Sequence, residues 1–424
     1  MSIGAALAVG LFVGKNSWAG VIFVLAMPFI LVWPVQVSLG LFALLVPFDS
    51  VSVIGPASSG MTLTFVAGGV GTVILFFVAL IGRRARALPR PAFWWGLFVV
   101  WSLASVMWAV SPEDVWYRVP TALALLTLYL AATFVRITAG ELSTISWLTI
   151  LGGCAAAGLA VYQFYSGVFY EDSTRGSIIL GGRQGDPNFF AAALLLPVSL
   201  AFGRLISCRD WPRRLILSGT VLVIGLGVFV TMSRGAFVAL AAMMLVYLFR
   251  LRANWRVLLP IAVVLVLVAA VPQLLFSRLE ESTVTSGTGR VDIWIVGLSA
   301  FWHHPFLGVG LNNFPAAFDA YVGSAPIFRG FHRAAHNTYL SILVESGTVG
   351  LLLFVWALWF ELRSVWQASK QQRTVDLLPY FAALCAVLVS GFFLDMVWSK
   401  TFWLVAILLT VAERCPRMPE TETA

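Results

Sequence analysis

Residues 331–347 read Phe-His-Arg-Ala-Ala-His-Asn-Thr-Tyr-Leu-Ser-Ile-Leu-Val-Glu-Ser-Gly. A polar stretch holding two of the chain's 4 histidines passes directly into an apolar helical pattern, so a long external connection re-enters a membrane here. His336 stands at that entrance, and imidazole is the side chain that handles protons near neutral pH. Glu345 falls inside the apolar run that follows, where it either pairs with a buried arginine or caps an unwound turn.

The rest of the chain supports this reading. Of 424 residues, 60% are hydrophobic and 11% charged, with a mean hydropathy of +0.92, which excludes an ordinary soluble domain. A polytopic all-α membrane protein is expected, with residues 1–424 forming a single integral domain. Runs able to cross roughly 30 Å of hydrocarbon lie near 64–82, 92–110, 118–135, 144–164, 188–206 and 215–231, then near 235–249, 257–271, 338–360, 377–394 and 401–412. Pro28, Pro34 and Pro47 interrupt the first 47 residues, which hold one to three crossings.

Basic clusters orient the bundle. Arg83, Arg84, Arg86 and Arg90 form one; Arg204, Arg209, Arg213 and Arg214 another; Arg250, Arg252 and Arg256 a third; Arg363, Lys370 and Arg373 a fourth. Alternate counting of spans puts all four on one side, the cytoplasmic one. The formal net charge of +8 is therefore a topology signal and needs no nucleic-acid partner. Cys154 and Cys385 lie in apolar spans and Cys208 and Cys415 on the basic side, so no external disulfide is expected. No removable signal peptide is apparent at the start.

The opposite side receives 48–63, 111–117, 165–187, 231–234 and the long segment 272–336. Within the last, Val291–Trp302 reads as an amphipathic surface helix ended by Pro305 and Gly308-Val-Gly310, a segment suited to covering a site. Internal repeats of the transporter kind are not seen.

Arg118, Arg175, Arg183, Arg234, Arg278, Arg290, Arg329 and Arg333 fall on the external side, against the positive-inside tendency. Arginine binds phosphate bidentately and keeps its charge when partly desolvated, so a pyrophosphate at the outer leaflet would suit these residues. The alternative is local pairing with acids such as Glu171, Asp172, Asp186, Glu280, Glu281 or Asp292. Arg234 differs, because Thr231-Met-Ser-Arg-Gly235 joins two apolar spans with no acid nearby in sequence, and an unpaired charge there is costly. His336, Asn337 and Tyr339 form a candidate set of general base and hydrogen-bonding partners, against the plainer reading of a helix-entry histidine wetted by headgroups. His303 and His304 mark the end of the surface helix. The four histidines lack close ligand spacing for zinc, and Glu113-Asp114 and Glu171-Asp172 are the acid pairs that could hold a divalent ion.

Four stretches together resemble the O-antigen ligase and polymerase family of bacterial envelope glycan enzymes. They are Gly185-Asp-Pro-Asn-Phe-Phe-Ala191; Thr231-Met-Ser-Arg-Gly-Ala236; Gly289-Arg-Val-Asp-Ile-Trp294 with His304-Pro-Phe-Leu-Gly-Val-Gly-Leu-Asn-Asn-Phe314; and His336-Asn-Thr-Tyr-Leu340 with Glu345-Ser-Gly347. The resemblance covers about residues 180–350. It implies about twelve transmembrane helices in a glycosyltransferase C-like bundle, with 272–336 as a large periplasmic loop. It also implies a glycan donor on undecaprenyl pyrophosphate and a site on the periplasmic face of the inner membrane. Arg234 and Arg290 would then clamp the pyrophosphate and His336 would activate an acceptor hydroxyl, without metal or cofactor. Arg183 is a third donor candidate, Arg175 and Arg333 are further ones, and Asn337 and Tyr339 would contact substrate. Three acceptors fit: the lipid A core, as in a ligase and placed first; a second lipid-linked repeat, as in a polymerase; or a protein hydroxyl. Two rivals remain: a lipid-linked oligosaccharide flippase, whose arginines would line a cavity open to both faces, and a metal-dependent oligosaccharyltransferase using Glu113 and Asp114.

Overall fold

A computed structural model describes residues 29–54, 61–171, 173–251, 289–328, 330–369 and 375–415. The expected crossing at 257–271, residues 272–288 of the external segment, Arg278, Arg329 and the first 28 residues lie outside the described residues.

The described chain is built from helices. In order they are α1 (Pro34–Leu45), continued by a 3₁₀ turn at Val46–Val51, then α2 (Leu63–Leu80), α3 (Arg90–Ala104), α4 (Pro112–Phe134) and α5 (Ala139–Tyr165). A two-residue hairpin, β1 (Ile179–Leu180) and β2 (Arg183–Gln184), leads into α6 (Pro187–Ala193), α7 (Leu195–Ser207), α8 (Trp211–Val230) and α9 (Arg234–Leu251). After the undescribed stretch come α10 (Arg290–His303), α11 (Phe314–Tyr321), α12 (Thr338–Ser369), α13 (Leu378–Ser390) and α14 (Lys400–Arg414). Among the described residues, 7 helical segments are long and apolar enough to cross a bilayer, which makes this a polytopic helical membrane protein.

Local chemistry sets the helix starts. Thr62 accepts the Phe65 N–H at the head of α2, Asp186 accepts those of Asn188 and Phe189 at α6, and Ser399 accepts that of Phe402 at α14. Thr138 and Glu141 form a reciprocal capping box on α5. The run expected as one span at 188–206 is two helices broken at Leu194. Pro197 has no N–H for the Ala193 carbonyl, so the helical ladder is interrupted there.

α14 is buried on every side from Thr401 to Ala412 and forms the centre of the bundle. Around it, Trp95 packs against Phe354, Phe402 and Trp403 with ring centroids 5.7, 5.6 and 5.4 Å apart. At one end of the bundle Arg84 pairs with Glu141 at 2.6 Å, Arg86 donates to the Arg414 carbonyl at 2.9 Å, and Arg204 donates to the Ser143 carbonyl at 3.2 Å. This is the end that sequence assigns to the basic clusters. Asp49, Arg118, Asp186, His336, Asp395 and Lys400 gather elsewhere, around one cavity.

The expected surface helix is present as α10, but one face of it is well packed. Ile293, Val296 and Ala300 join Val309, Phe314, Phe318, Leu340 and Val344 in a second apolar core between α10, α11 and the head of α12. α12 itself is opened at Gly347, whose φ of 65° and ψ of −171° are not helical. The segment 305–310 lies in the opening. Val309 N–H donates to the Val344 carbonyl at 2.9 Å, Gly310 N–H to the Glu345 carbonyl at 2.9 Å, and Thr348 N–H to the Pro305 carbonyl at 2.9 Å. Backbone groups released by the break are thus satisfied by protein, as membrane depth demands. The two chains touch so closely that a Cβ on Gly347 would lie 2.1 Å from the Phe306 oxygen, and one on Gly308 2.5 Å from the Glu345 carbonyl.

Candidate active site

The inserted loop explains Glu345. Its carboxylate is buried and accepts the Phe314 N–H at 3.4 Å, so it caps α11 at the far side of the break. Just before, Asn312 accepts from Arg118 Nε at 3.2 Å and donates to the Asp114 carbonyl at 3.3 Å. Gly308-Val-Gly-Leu-Asn-Asn-Phe314 therefore sets Arg118 and Glu345 on the wall of the cavity, whose volume is about 930 Å³.

His336 lines the same cavity and is fixed from behind. Its backbone has a φ of 47°, a left-handed conformation uncommon outside glycine. Trp294 of α10 donates to the preceding Ala335 carbonyl at 3.1 Å, and the His336 N–H donates to Asp395 Oδ2 at 3.2 Å. Thr338 donates from nitrogen and oxygen into the 391–394 turn, at 2.7 Å to Gly391 and 2.6 Å to Leu394. The imidazole makes no hydrogen bond or ion pair with any described residue, and it is the part left for chemistry.

Asn337 and Tyr339 are used structurally at the helix entrance. Asn337 Oδ1 caps α12, accepting the N–H groups of Tyr339 and Leu340 at 3.0 and 3.2 Å, while the Tyr339 hydroxyl donates to the Leu388 carbonyl at 2.6 Å. His332 pairs with Asp319 at 2.5 Å on the exposed loop, where Arg333 is also exposed.

Asp395 is the residue that sequence reading passed over. Its Oδ1 is buried without a hydrogen-bond partner among the described residues. Burial raises its carboxyl above the usual aspartate value, opposed by the His336 ring, the backbone N–H groups of His336 and Asn337, and Arg118. The available signal was an acid and a lysine, Asp395 and Lys400, in the short polar interruption between the last two apolar runs.

Arg234 and Arg290 come together. Each occupies the first position of a helix, α9 and α10, where the macrodipole opposes a cation and favours an anion. Neither makes a hydrogen bond or ion pair with a described residue. Burial lowers the Arg290 guanidinium below its ordinary value, and the charge of Arg234 lowers it further, against Asp186 and Asp395. Those two acids also line the cavity, so the arginine pair borders it without being part of its wall.

The other arginines divide. Arg175 donates from Nε to the Thr231 carbonyl at 2.9 Å and from Nη2 to Asn188 Oδ1 at 2.7 Å, tying the turn before Arg234 to the start of α6. Arg183 is half-buried in β2, just ahead of Asp186. Glu113 and Asp114 lie in the first turn of α4, where acids favour the helix dipole.

Comparison with curated proteins gives no match. Residues 219–355, from within α8 to within α12, match the family described as O-antigen ligase, and the match includes Arg234, Arg290, His336 and Glu345. Through this stretch, which carries the arginine pair and the fixed histidine, the chain is similar to the O-antigen ligase family.

Proposed function

We propose that the protein is an inverting, metal-independent glycosyltransferase that moves a glycan from undecaprenyl pyrophosphate to an acceptor hydroxyl at the periplasmic face of the bacterial inner membrane. The observation that carries this reading is the unpaired couple Arg234 and Arg290 at two helix N-termini beside His336 and Asp395. Two neighbouring like charges, one exposed and one half-buried, with no ion pair to a described residue, suit a ligand of at least two negative charges, and a pyrophosphate supplies them.

In the reaction, a ring nitrogen of His336 takes the proton of the acceptor hydroxyl as its oxygen bonds to the anomeric carbon. The anomeric carbon–oxygen bond on the opposite face breaks and its electron pair leaves with the lipid pyrophosphate. Arg234 and Arg290 stabilise the charge that grows there. Asp395 accepts the His336 backbone N–H at 3.2 Å and so holds the residue that carries the base in place.

We place the acceptor as the lipid A core, which makes the protein an O-antigen ligase, with a second lipid-linked repeat as the polymerase alternative. Purified protein given undecaprenyl pyrophosphate glycan and, separately, each acceptor tests this. Product on the core alone is expected; chain extension without core would overturn the ligase assignment. The full topology, about twelve helices around a periplasmic loop at 272–336, is part of the same proposal.

A further inference from the structure

The cavity has a second reading head that the transfer chemistry does not use. Lys400 Nζ donates to Asp49 Oδ1 at 2.6 Å and to Thr62 Oγ1 at 2.9 Å, and Thr62 Oγ1 donates to the same Asp49 oxygen at 2.7 Å. An ammonium has three N–H groups, so one remains, and Asp49 Oδ2 accepts nothing from the described residues. Lys400 also opens α14, where the helix dipole disfavours a cation, so the placement is poor for stability alone.

The surroundings select a ligand class. Phe65, Trp116, Tyr117, Phe189 and Trp398 line the cavity, giving flat apolar surfaces beside polar edges. Its wall carries four carboxyl groups, Asp49, Asp186, Glu345 and Asp395, against two permanent cations, Arg118 and Lys400. Lys400 is already paired with Asp49, and Arg118 donates to Asn312 Oδ1 beside the carboxyl groups of Glu345 and Asp395. The unpaired arginines that suit an anion stand outside this wall. An uncharged ring with hydroxyls at its edge and C–H groups on its faces fits, whereas a phosphorylated or uronic sugar meets repulsion. A volume of about 930 Å³ leaves room for more than one such ring.

We propose that this cavity is the acceptor pocket, and that the remaining N–H of Lys400 and Oδ2 of Asp49 read hydroxyls of an uncharged acceptor sugar stacked on the aromatic wall. The assignment as acceptor rests on the transferase reading above; the assignment as a neutral-sugar site does not.

The test is equilibrium binding, without donor lipid and without transfer, to the full-length detergent-solubilised protein. Tryptophan fluorescence is titrated with neutral hexose and heptose di- and trisaccharides and with their uronate and phosphorylated counterparts. Saturable binding of a neutral member is expected, with its anionic counterpart weaker by about tenfold or more. Asp49→Asn and Lys400→Met should each weaken the neutral sugar by about tenfold. Trp116 is 62% exposed, so Trp116→Ala leaves the fold intact and should weaken binding too; it decides the matter if an ion-pair variant fails to fold. No binding by any neutral member, tighter binding of the anionic ones, or native affinity in the Trp116 variant and in the folded ion-pair variants would overturn the proposal. Sugar binding by a protein that transfers nothing would keep this site and remove the transferase reading.

Discussion

Arg234 and Arg290 head two different helices, and the charge of the first makes the charge of the second harder to hold. Such a pair lowers stability in the empty protein and gains from an anion. Replacing either by Gln should therefore leave the melting temperature unchanged or higher while transfer falls by about 10²–10³ fold. Lysine should restore little, because it lacks the bidentate fork. Melting curves and initial rates on the same preparations check both halves.

Asp395 gives a pH signature. Its carboxyl is raised in the fold by burial, so the folded state favours the neutral form. The stability this contributes is full below the unfolded carboxyl value and is lost as pH rises through the folded one. Asp395→Asn is neutral throughout, so the native protein should lose melting temperature relative to it between acid and neutral pH. Transfer by the variant should fall by about tenfold or more, since an amide holds the His336 backbone N–H less strongly than a carboxylate does. Parallel melting curves across that range would contradict this role.

The opened helix makes a third prediction. Gly347→Ala places a Cβ 2.1 Å from the Phe306 oxygen and holds alanine at a φ of 65°. A backbone at this φ and ψ is essentially reserved for glycine and costs other residues about 1–3 kcal/mol, and the backbone clash adds to it. The 305–310 segment should leave its slot, seen as new protease sensitivity there and a lower melting temperature. Gly69→Ala, with nothing within 4 Å, is the matched control and should melt as the native protein does.

Arg175 separates positioning from donor contact. Arg175→Met removes two charge-assisted hydrogen bonds, each worth about 1.5–3 kcal/mol. Its melting temperature should drop, unlike that of the Arg234 variants. An unchanged melting temperature with weakened binding of the donor lipid would instead make Arg175 a donor contact.

Much of the fold was legible because long apolar runs and basic clusters report on the bilayer directly. The spans read near 64–82 and 144–164 correspond to α2 and α5 within a few residues. Arg234 could be picked out because it is isolated between two spans, and His336 because it stands where a loop meets a helix. What escaped depends on contacts between remote segments. Nothing near Gly347 in sequence says that 305–310 will enter the helix, and nothing near Asp49 names Lys400 as its partner. Asn337 and Tyr339 were read beside His336 as substrate ligands by proximity; the structural use of Asn337 Oδ1 in capping α12 and of the Tyr339 hydroxyl in holding α13 was not legible there. Asp395 was passed over in the short interruption between the last two apolar runs, although its carboxylate contacts the His336 backbone.

The most direct measurement is transfer from labelled undecaprenyl pyrophosphate glycan by purified native, His336→Ala and Arg290→Ala proteins, each shown to be folded by gel filtration. Product should form with the native protein and be abolished in both variants. Full activity in the folded His336 variant would remove the proposed base and contradict the mechanism.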